Sequence, residues 1–211
     1  MNQDLTRQAA EWLAAGETVA MATIVRIRGS ASQPLASRMF ITSRQRFVGA
    51  VSGGCVESDV YQAAQDVLAG DGPLMLHYKH VENPLIEIGL NCEGQIDVLV
   101  EVLDEKLLAQ LTSPPTCVNV TLCSPNEPLH PRPLHACVWP DGTASATLPD
   151  VVLRDALAAL EGEKPQTVTY PDGRVALFEP IVPPPTLLIF GAEQIAVPLV
   201  RFARKIGRAH V

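Results

Sequence analysis

The sequence predicts an α/β protein with a mixed-sheet N-terminal domain and flanking helices, a proline-rich β-containing middle region, and the opening of a further βα unit. Three observations carry this expectation. A β-branched run, Thr18–Ile27, follows a stretch of helical period; strand, glycines and helix succeed one another around Val51–Leu68; and a triple proline, Pro183–Pro185, leads into one apolar strand and one helix. At 211 residues, with 47% hydrophobic and 18% charged side chains, the chain can bury an ordinary core.

Leu5, Ala9, Trp12 and Leu13 recur at helical spacing and Gly16 follows as a stop, so residues 4–15 read as an amphipathic helix. Thr18–Ile27 reads as a buried strand, and after the loop RGSASQPLAS two short strands are expected at Arg38–Thr42 and Arg46–Val51. Val56, Val60, Ala63 and Val67 make the buried stripe of a helix that runs from Cys55 to about Leu68. Strands at Pro73–Tyr78 and Gln95–Val102 flank the polar segment EIGLNCEG; in the second, Ile96, Val98 and Val100 oppose Asp97, Leu99 and Glu101. A short helix, Leu107–Leu111, closes the first domain, residues 1–112.

Residues 113–184, with Pro114, Pro115, Pro125, Pro128, Pro131 and Pro133, read as a loosely connected β region. Its strand-like pieces are TCVNVTLC and HACVWPDG, and a helix is expected at Val151–Leu160. Residues 185–211 open a Rossmann-like domain, and the 26 residues after Pro185 are too few to complete one, so a C-terminal truncation is expected. The last six residues, Ile206–Val211, match one reading frame of a common sequencing adapter and are expected not to be native.

Charge and composition exclude several classes. Sixteen basic against 23 acidic side chains give a net charge of −7, with no Lys/Arg cluster, so a nucleic-acid role is not expected. No run approaches the roughly 18 apolar residues of a membrane span, and the first residues lack the apolar core of a secretion signal. The chain is therefore expected in the cytoplasm, with its five cysteines reduced. No CxxC pair suggests zinc, and His77, His80, His130 and His135 read as surface or loop residues.

The chemistry concentrates in VSGGCVE, Val51–Glu57. As the first residue of a helix, Cys55 would lie off the buried stripe, beside Asp59, Gln62 and Asp66. There the helix N-terminus favours a thiolate, and Gly53 and Gly54 let the backbone form an N–H-lined concavity for an anion. Glu57 either orients a ligand, exchanges a proton or caps the helix. Cys92, in GLNCEGQ, is by itself a turn cysteine, whereas Cys117, Cys123 and Cys137 sit in apolar runs and read as packing residues.

In this order the segments RIRGSASQPLASRMFITSRQRFVGAVSGGCVESDVYQAAQDVL, LHYKHVENPLIEIGLNCEGQIDVLVE and LLIFGAEQIA resemble the XdhC/CoxI family, accessory proteins of molybdenum hydroxylases such as xanthine dehydrogenase and aerobic carbon monoxide dehydrogenase. The resemblance is strongest over residues 17–103. It implies a chaperone without net turnover that binds molybdenum cofactor as cargo, protects it, works with a cysteine desulfurase in sulfurating it, and delivers it to the apo molybdenum hydroxylase. It implies that Cys55, and secondarily Cys92, meet the cofactor's molybdenum or a transferred sulfur, with Gly29, Ser30, Arg38, Ser52, Gly53, Gly54 and Glu57 around the anionic ligand.

The sequence departs from the family pattern in three places. Ser32 and Gln33 replace a Pro-Arg pair, Glu93 replaces a glycine after Cys92, and Glu193-Gln194 replaces Gly-His in the last motif, which argues against NAD. A homodimer is compatible with the composition but is not indicated by it. The alternatives are a cysteine-dependent enzyme using Cys55 with Glu57 or a histidine, and an NAD-linked oxidoreductase or regulatory Rossmann protein.

Overall fold

The computed structural model describes residues 2–81, 88–112, 116–124, 132–162, 164–181, 189, 191 and 194–205. They form two compact units, Met1–Ile181 and Val182–Val211.

The first unit opens with α1 (Asn2–Ala14), which ends at Gly16 in a left-handed conformation, φ 77°. Strands β1 (Val19–Arg28), β2 (Arg38–Thr42) and β3 (Phe47–Gly49) follow, then α2 (Glu57–Asp66), prolonged by a π-helical turn, Val67–Asp71. Next come β4 (Leu74–Lys79), β5 (Gln95–Val102) and α3 (Glu105–Leu111). The five strands make one sheet in the order β3-β2-β1-β5-β4, and every pairing in it is antiparallel. The expected mixed sheet is thereby corrected. The segment from β3 through α2 places β4 at the far edge, beside β5 rather than beside β3, and this removes the need for a parallel neighbour.

Both faces of this sheet are covered. Ala20, Ala22, Ile24, Met39, Ile41, Val98 and Val100 pack against Val56, Val60, Ala64 and Val67 of the α2 side. On the opposite face, Val19, Met21 and Phe40 meet Ala9 and Trp12 of α1 and Leu107 of α3. The alternation of β5 is therefore not apolar inside and polar outside: Asp97, Leu99 and Glu101 are buried as well.

The middle region is a second sheet rather than a loose connection. Strands β6 (Cys117–Cys123), β7 (Leu134–Val138), β8 (Gln166–Thr169) and β9 (Val175–Ile181) pair antiparallel in the order β7-β6-β9-β8. Helix α4 (Asp150–Ala159) covers one face, where Val152 and Ala156 meet Val120, Ala136 and Phe178. The other face meets the first sheet: Cys123, Val175 and Leu177 pack on Val25, Met75 and Leu99. The expected boundary at residue 112 thus falls between two sheets of a single compact unit.

Polar pairs tie the sheets together. Arg38 of β2 donates to Glu179 of β9, with Nη1 2.9 Å from Oε1 and Nη2 bonded to Oε2. Their side chains are 6% and 8% exposed. His135 Nε2 lies 2.8 Å from Glu101 Oε2, and Thr167 donates to the Val25 carbonyl at 2.8 Å. His135 is mostly buried, which corrects its reading as a surface residue.

Strand β1 carries a bulge between Ile24 and Arg26, where the register against β5 steps from Ile24↔Val98 to Arg26↔Asp97. Ahead of it, the even-numbered Ala20, Ala22 and Ile24 face the α2 side; beyond it, Ile27 does. Arg26 and Arg28 are turned to the opposite face, toward Asp97.

In the second unit, α5 (Ala196–Lys205) is present, as expected after the triple proline. The expected strand Leu187–Phe190 falls almost entirely outside the described residues, as do Glu193, His130 and Ile206–Val211. Among the described residues, no helix is long and apolar enough to cross a membrane.

Candidate functional site

Three segments converge at one end of the first sheet: loop 29–33 after β1, loop 51–55 before α2, and turn 91–94 before β5. Glycines permit the approach. A Cβ on Gly94 would stand 1.7 Å from the Ser30 carbonyl oxygen, and one on Gly29 would stand 3.2 Å from the Glu93 carbonyl oxygen. Ser32 Oγ donates to the Ser52 carbonyl, so the serine that departs from the family pattern joins the first loop to the second. Cys55 and Cys92 are half-buried and pack against the same core cluster.

Loop 51–55 folds around its own acid. Glu57 Oε1 accepts the backbone N–H groups of Val51, Ser52 and Gly53 at 3.1, 2.7 and 2.9 Å; Oε2 accepts Gly54 N–H at 2.7 Å and the Ser52 hydroxyl at 2.5 Å. The Ser52 hydroxyl in turn accepts the N–H groups of Cys55 and Val56, both at 2.9 Å. Positive φ at Gly53 and Gly54, 75° and 118°, aims these donors inward.

Two expectations are corrected by this geometry. Helix α2 begins at Glu57 with Val56 as N-cap, so Cys55 precedes the helix and is not its first residue. The cause is local, because the amides of residues 51–56 are consumed by Glu57 and Ser52. The N–H-lined concavity exists, but the anion in it is the Glu57 carboxylate. Burial pushes the Glu57 pKa up, and the Ser52 hydroxyl with the Ser52 and Gly54 amides outweighs it, holding the value at about 2 instead of 4.5.

A test of stability follows from this shift. The folded carboxylate resists protonation until about pH 2, whereas the unfolded one titrates near 4.5. Its contribution is complete above pH 4.5 and is lost as pH falls toward 2. Glu57→Gln should cost about 2 kcal/mol at neutral pH, limited by solvent at the Gly53 and Gly54 amides. It should also flatten the acid slope of the urea midpoint; a variant with the wild-type slope would exclude Glu57 as the titrating group.

Around this loop, Tyr78 of β4 donates to Asp59 of α2 at 2.6 Å, anchoring the helix start to the sheet, and burial with Asp59 pushes its pKa up. Arg38, expected beside the ligand, is on the opposite sheet face and committed to Glu179, because β2 turns Met39 and Ile41 toward α2. Burial pushes the thiols of Cys117 and Cys123 up to about 11 and about 12, in keeping with packing roles. Two clefts of about 530 and 540 Å3, sharing Arg132 and Leu134, lie elsewhere and are lined by none of the residues of loop 51–55 or turn 91–94. Among the described residues, no three His, Cys, Asp or Glu side chains gather as a metal site.

The sequence reading missed the Asp97 cluster, in which Arg26 Nε and His77 Nδ1 reach its carboxylate at 2.5 and 2.7 Å. The sequence signal was a charged residue in the middle of an apolar strand, Asp97 between Ile96 and Val98, next to a β1 that carries Arg26 and Arg28.

This arrangement of glycine loop, folded-back glutamate and cysteine lies in a segment with known counterparts, since residues 12–79 match the model of the XdhC and CoxI family. The XdhC and CoxI segment includes Gly29, Ser30, Arg38 and Ser52–Glu57, and stops before Cys92. A molybdenum cofactor insertion chaperone, PaoD of Escherichia coli (strain K12), is 31% identical over 102 residues, 48% of this chain and 32% of that protein. A probable xanthine dehydrogenase subunit of Bacillus subtilis (strain 168) is 29% identical over 204 residues, 90% of this chain and 58% of that one. The fold matches a crystal structure of a xanthine dehydrogenase from Bacillus halodurans, with a TM-score of 0.65 and 21% identity over 95% of this chain and 59% of that chain. The chain thus spans less than two thirds of each of these proteins.

Proposed function

We propose that the chain is a molybdenum-cofactor maturation chaperone, binding the cofactor as cargo at the junction of loops 29–33, 51–55 and 91–94 without net turnover. The observation that carries this reading is the presentation of two half-buried thiols, Cys55 and Cys92, on loops pinned to one another within and beside an XdhC and CoxI segment. Soft sulfur donors suit molybdenum or a transferred sulfur, and backbone clamps hold them without a regular element. The likeness to PaoD supports cofactor handling, and the likeness to xanthine dehydrogenase proteins supports a hydroxylase of that type as recipient. Sulfuration with a cysteine desulfurase, delivery in the cytoplasm and a homodimeric state belong to the same proposal, as does a Rossmann-like continuation of the second unit.

The filled concavity limits the reading. Ser52, Gly53 and Gly54 shape the loop that carries Cys55, and Glu57 is its internal clamp rather than a ligand-orienting acid. Purified protein exposed to a cofactor source is expected to carry molybdopterin, and Cys55→Ala to carry at least tenfold less, a loss of about 1.4 kcal/mol. Absence of molybdopterin from the wild type would refute the cargo reading; equal loading of Cys55→Ala would refute only the role given to that thiol.

A further inference from the structure

With the loop amides occupied by Glu57, the anionic group of a bound ligand needs another partner, and this inference rests on the cargo reading above. Few described cations border the candidate loops. Arg38 is committed to Glu179, and Arg44 and Arg46 face Glu17. There remains the end of the first sheet turned away from α2, where the bulge in β1 exposes what regular alternation would bury.

Two rows of side chains cross β1, β5 and β4 there. The register pairs Arg26↔Asp97 and His77↔Asp97 set the first row; Arg28↔Gln95 and Lys79↔Gln95 set the second. Asp97, 4% exposed, anchors the first row and also draws Arg28 to 3.5 Å, while the Arg28 side chain stays 54% exposed. Lys79 is exposed, and among the described residues no ion pair involves it. One buried carboxylate therefore faces two guanidiniums, and the Lys79 ammonium stands in the neighbouring row without a carboxylate paired to it among the described residues, a local positive surplus on a chain of net charge −7.

The second row is continuous with the candidate loops. Arg28 leads directly into Gly29, Gln95 follows Gly94, and Lys79 leads into His80, which is bridged to Leu90 two residues before Cys92. Strand spacing puts the Arg28 and Lys79 backbones about 10 Å apart, a gap that two long side chains can close over Gln95.

We propose that Arg28 and Lys79, with the Gln95 amide between them, form an anion-binding site for the phosphate or diphosphate of a ligand. The guanidinium supplies a planar pair of donors, the ammonium a mobile point charge, and the amide a neutral donor. Asp97 is a positioning residue: its close contact is with Arg26, and its longer one, 3.5 Å to Arg28, orients a guanidinium that stays 54% exposed and open to a ligand.

Pyrophosphate is the probe, titrated calorimetrically at low salt into the wild type, an Arg28→Gln/Lys79→Gln variant, and a control, Arg154→Gln, whose side chain is 76% exposed. The wild type and the control are expected to bind saturably and more weakly as salt rises, and the double variant at least tenfold more weakly than either. Absence of saturable binding by the wild type, or binding by the double variant within twofold of it, would overturn the site. Molybdopterin content measured on the same preparations separates the two claims, since pyrophosphate binding without molybdopterin refutes the cargo reading and supports the anion site.

Discussion

Glu179→Gln is expected to destabilise the first unit by about 3–5 kcal/mol, because it leaves the Arg38 guanidinium charged and buried without a counter-ion. Arg38→Met should cost a similar amount by stranding Glu179. The surroundings offer little compensation: Arg38 Nε already lacks a hydrogen-bond partner. Such a loss is a third or more of the stability of a typical domain. The double variant Arg38→Met/Glu179→Leu should recover most of it, since removing both charges removes both desolvation penalties. Urea unfolding of all four proteins tests the claim. A single variant that loses less than about 1 kcal/mol would mean that water reaches the pair and that the two sheets are not joined there as described.

Gly94→Ala is expected to be the most damaging single methyl in the candidate site. Its Cβ would stand 1.7 Å from the Ser30 carbonyl oxygen, where ordinary contact begins near 3.4 Å, and the atom it meets is backbone, so no side chain can rotate away. A cost of about 3 kcal/mol follows, together with separation of loop 29–33 from the turn that carries Cys92. Gly54→Ala is the contrast: nothing lies within 4 Å of its Cβ, and only the positive φ of 118° opposes it, a penalty of about 1 kcal/mol. Thermal melting ranks the two. Amide exchange at Ser30 and Cys92 shows whether the loops part, and a Gly94→Ala protein as stable as Gly54→Ala would refute the close approach.

Much of this architecture was legible from residue patterns. Arg38–Thr42 and Gln95–Val102 appear as strands with the expected bounds, and the stripe Val56, Val60, Ala63 and Val67 is buried as its spacing requires. The hairpin of β8 and β9 went unread, although TVTYPDGRVALFEPI carries a turn signal between two β-branched runs. The surrounding prolines weighed toward loop, whereas pairing with β6 decided the outcome.

At the site, the glycines and the cysteine announced an unusual turn, but the fate of its amides depended on where one side chain three residues past Gly54 would fold. Helical periodicity carries no information about that choice. The Arg38–Glu179 pair joins residues 141 positions apart, and no local pattern can pair a charge in one strand with its partner in another sheet. Polar residues within apolar strands, Arg38, Asp97 and Glu179, were the trace it left.

The bulge at Val25 works as a half-step in a ladder of period two. Were Val25 instead paired regularly opposite Asp97, with no bulge, the strand's outer half would rotate: Ile27 would look outward and both guanidiniums would turn into the apolar layer beneath α2. The chain's charge distribution thus hangs on how one extra residue is absorbed, and not only on which amino acids it contains. Deleting the Val25 codon would therefore straighten the ladder and still leave Arg26 opposite Asp97 and Arg28 opposite Gln95, whereas a flattened bulge with Val25 retained would exchange the inside of the sheet for its outside.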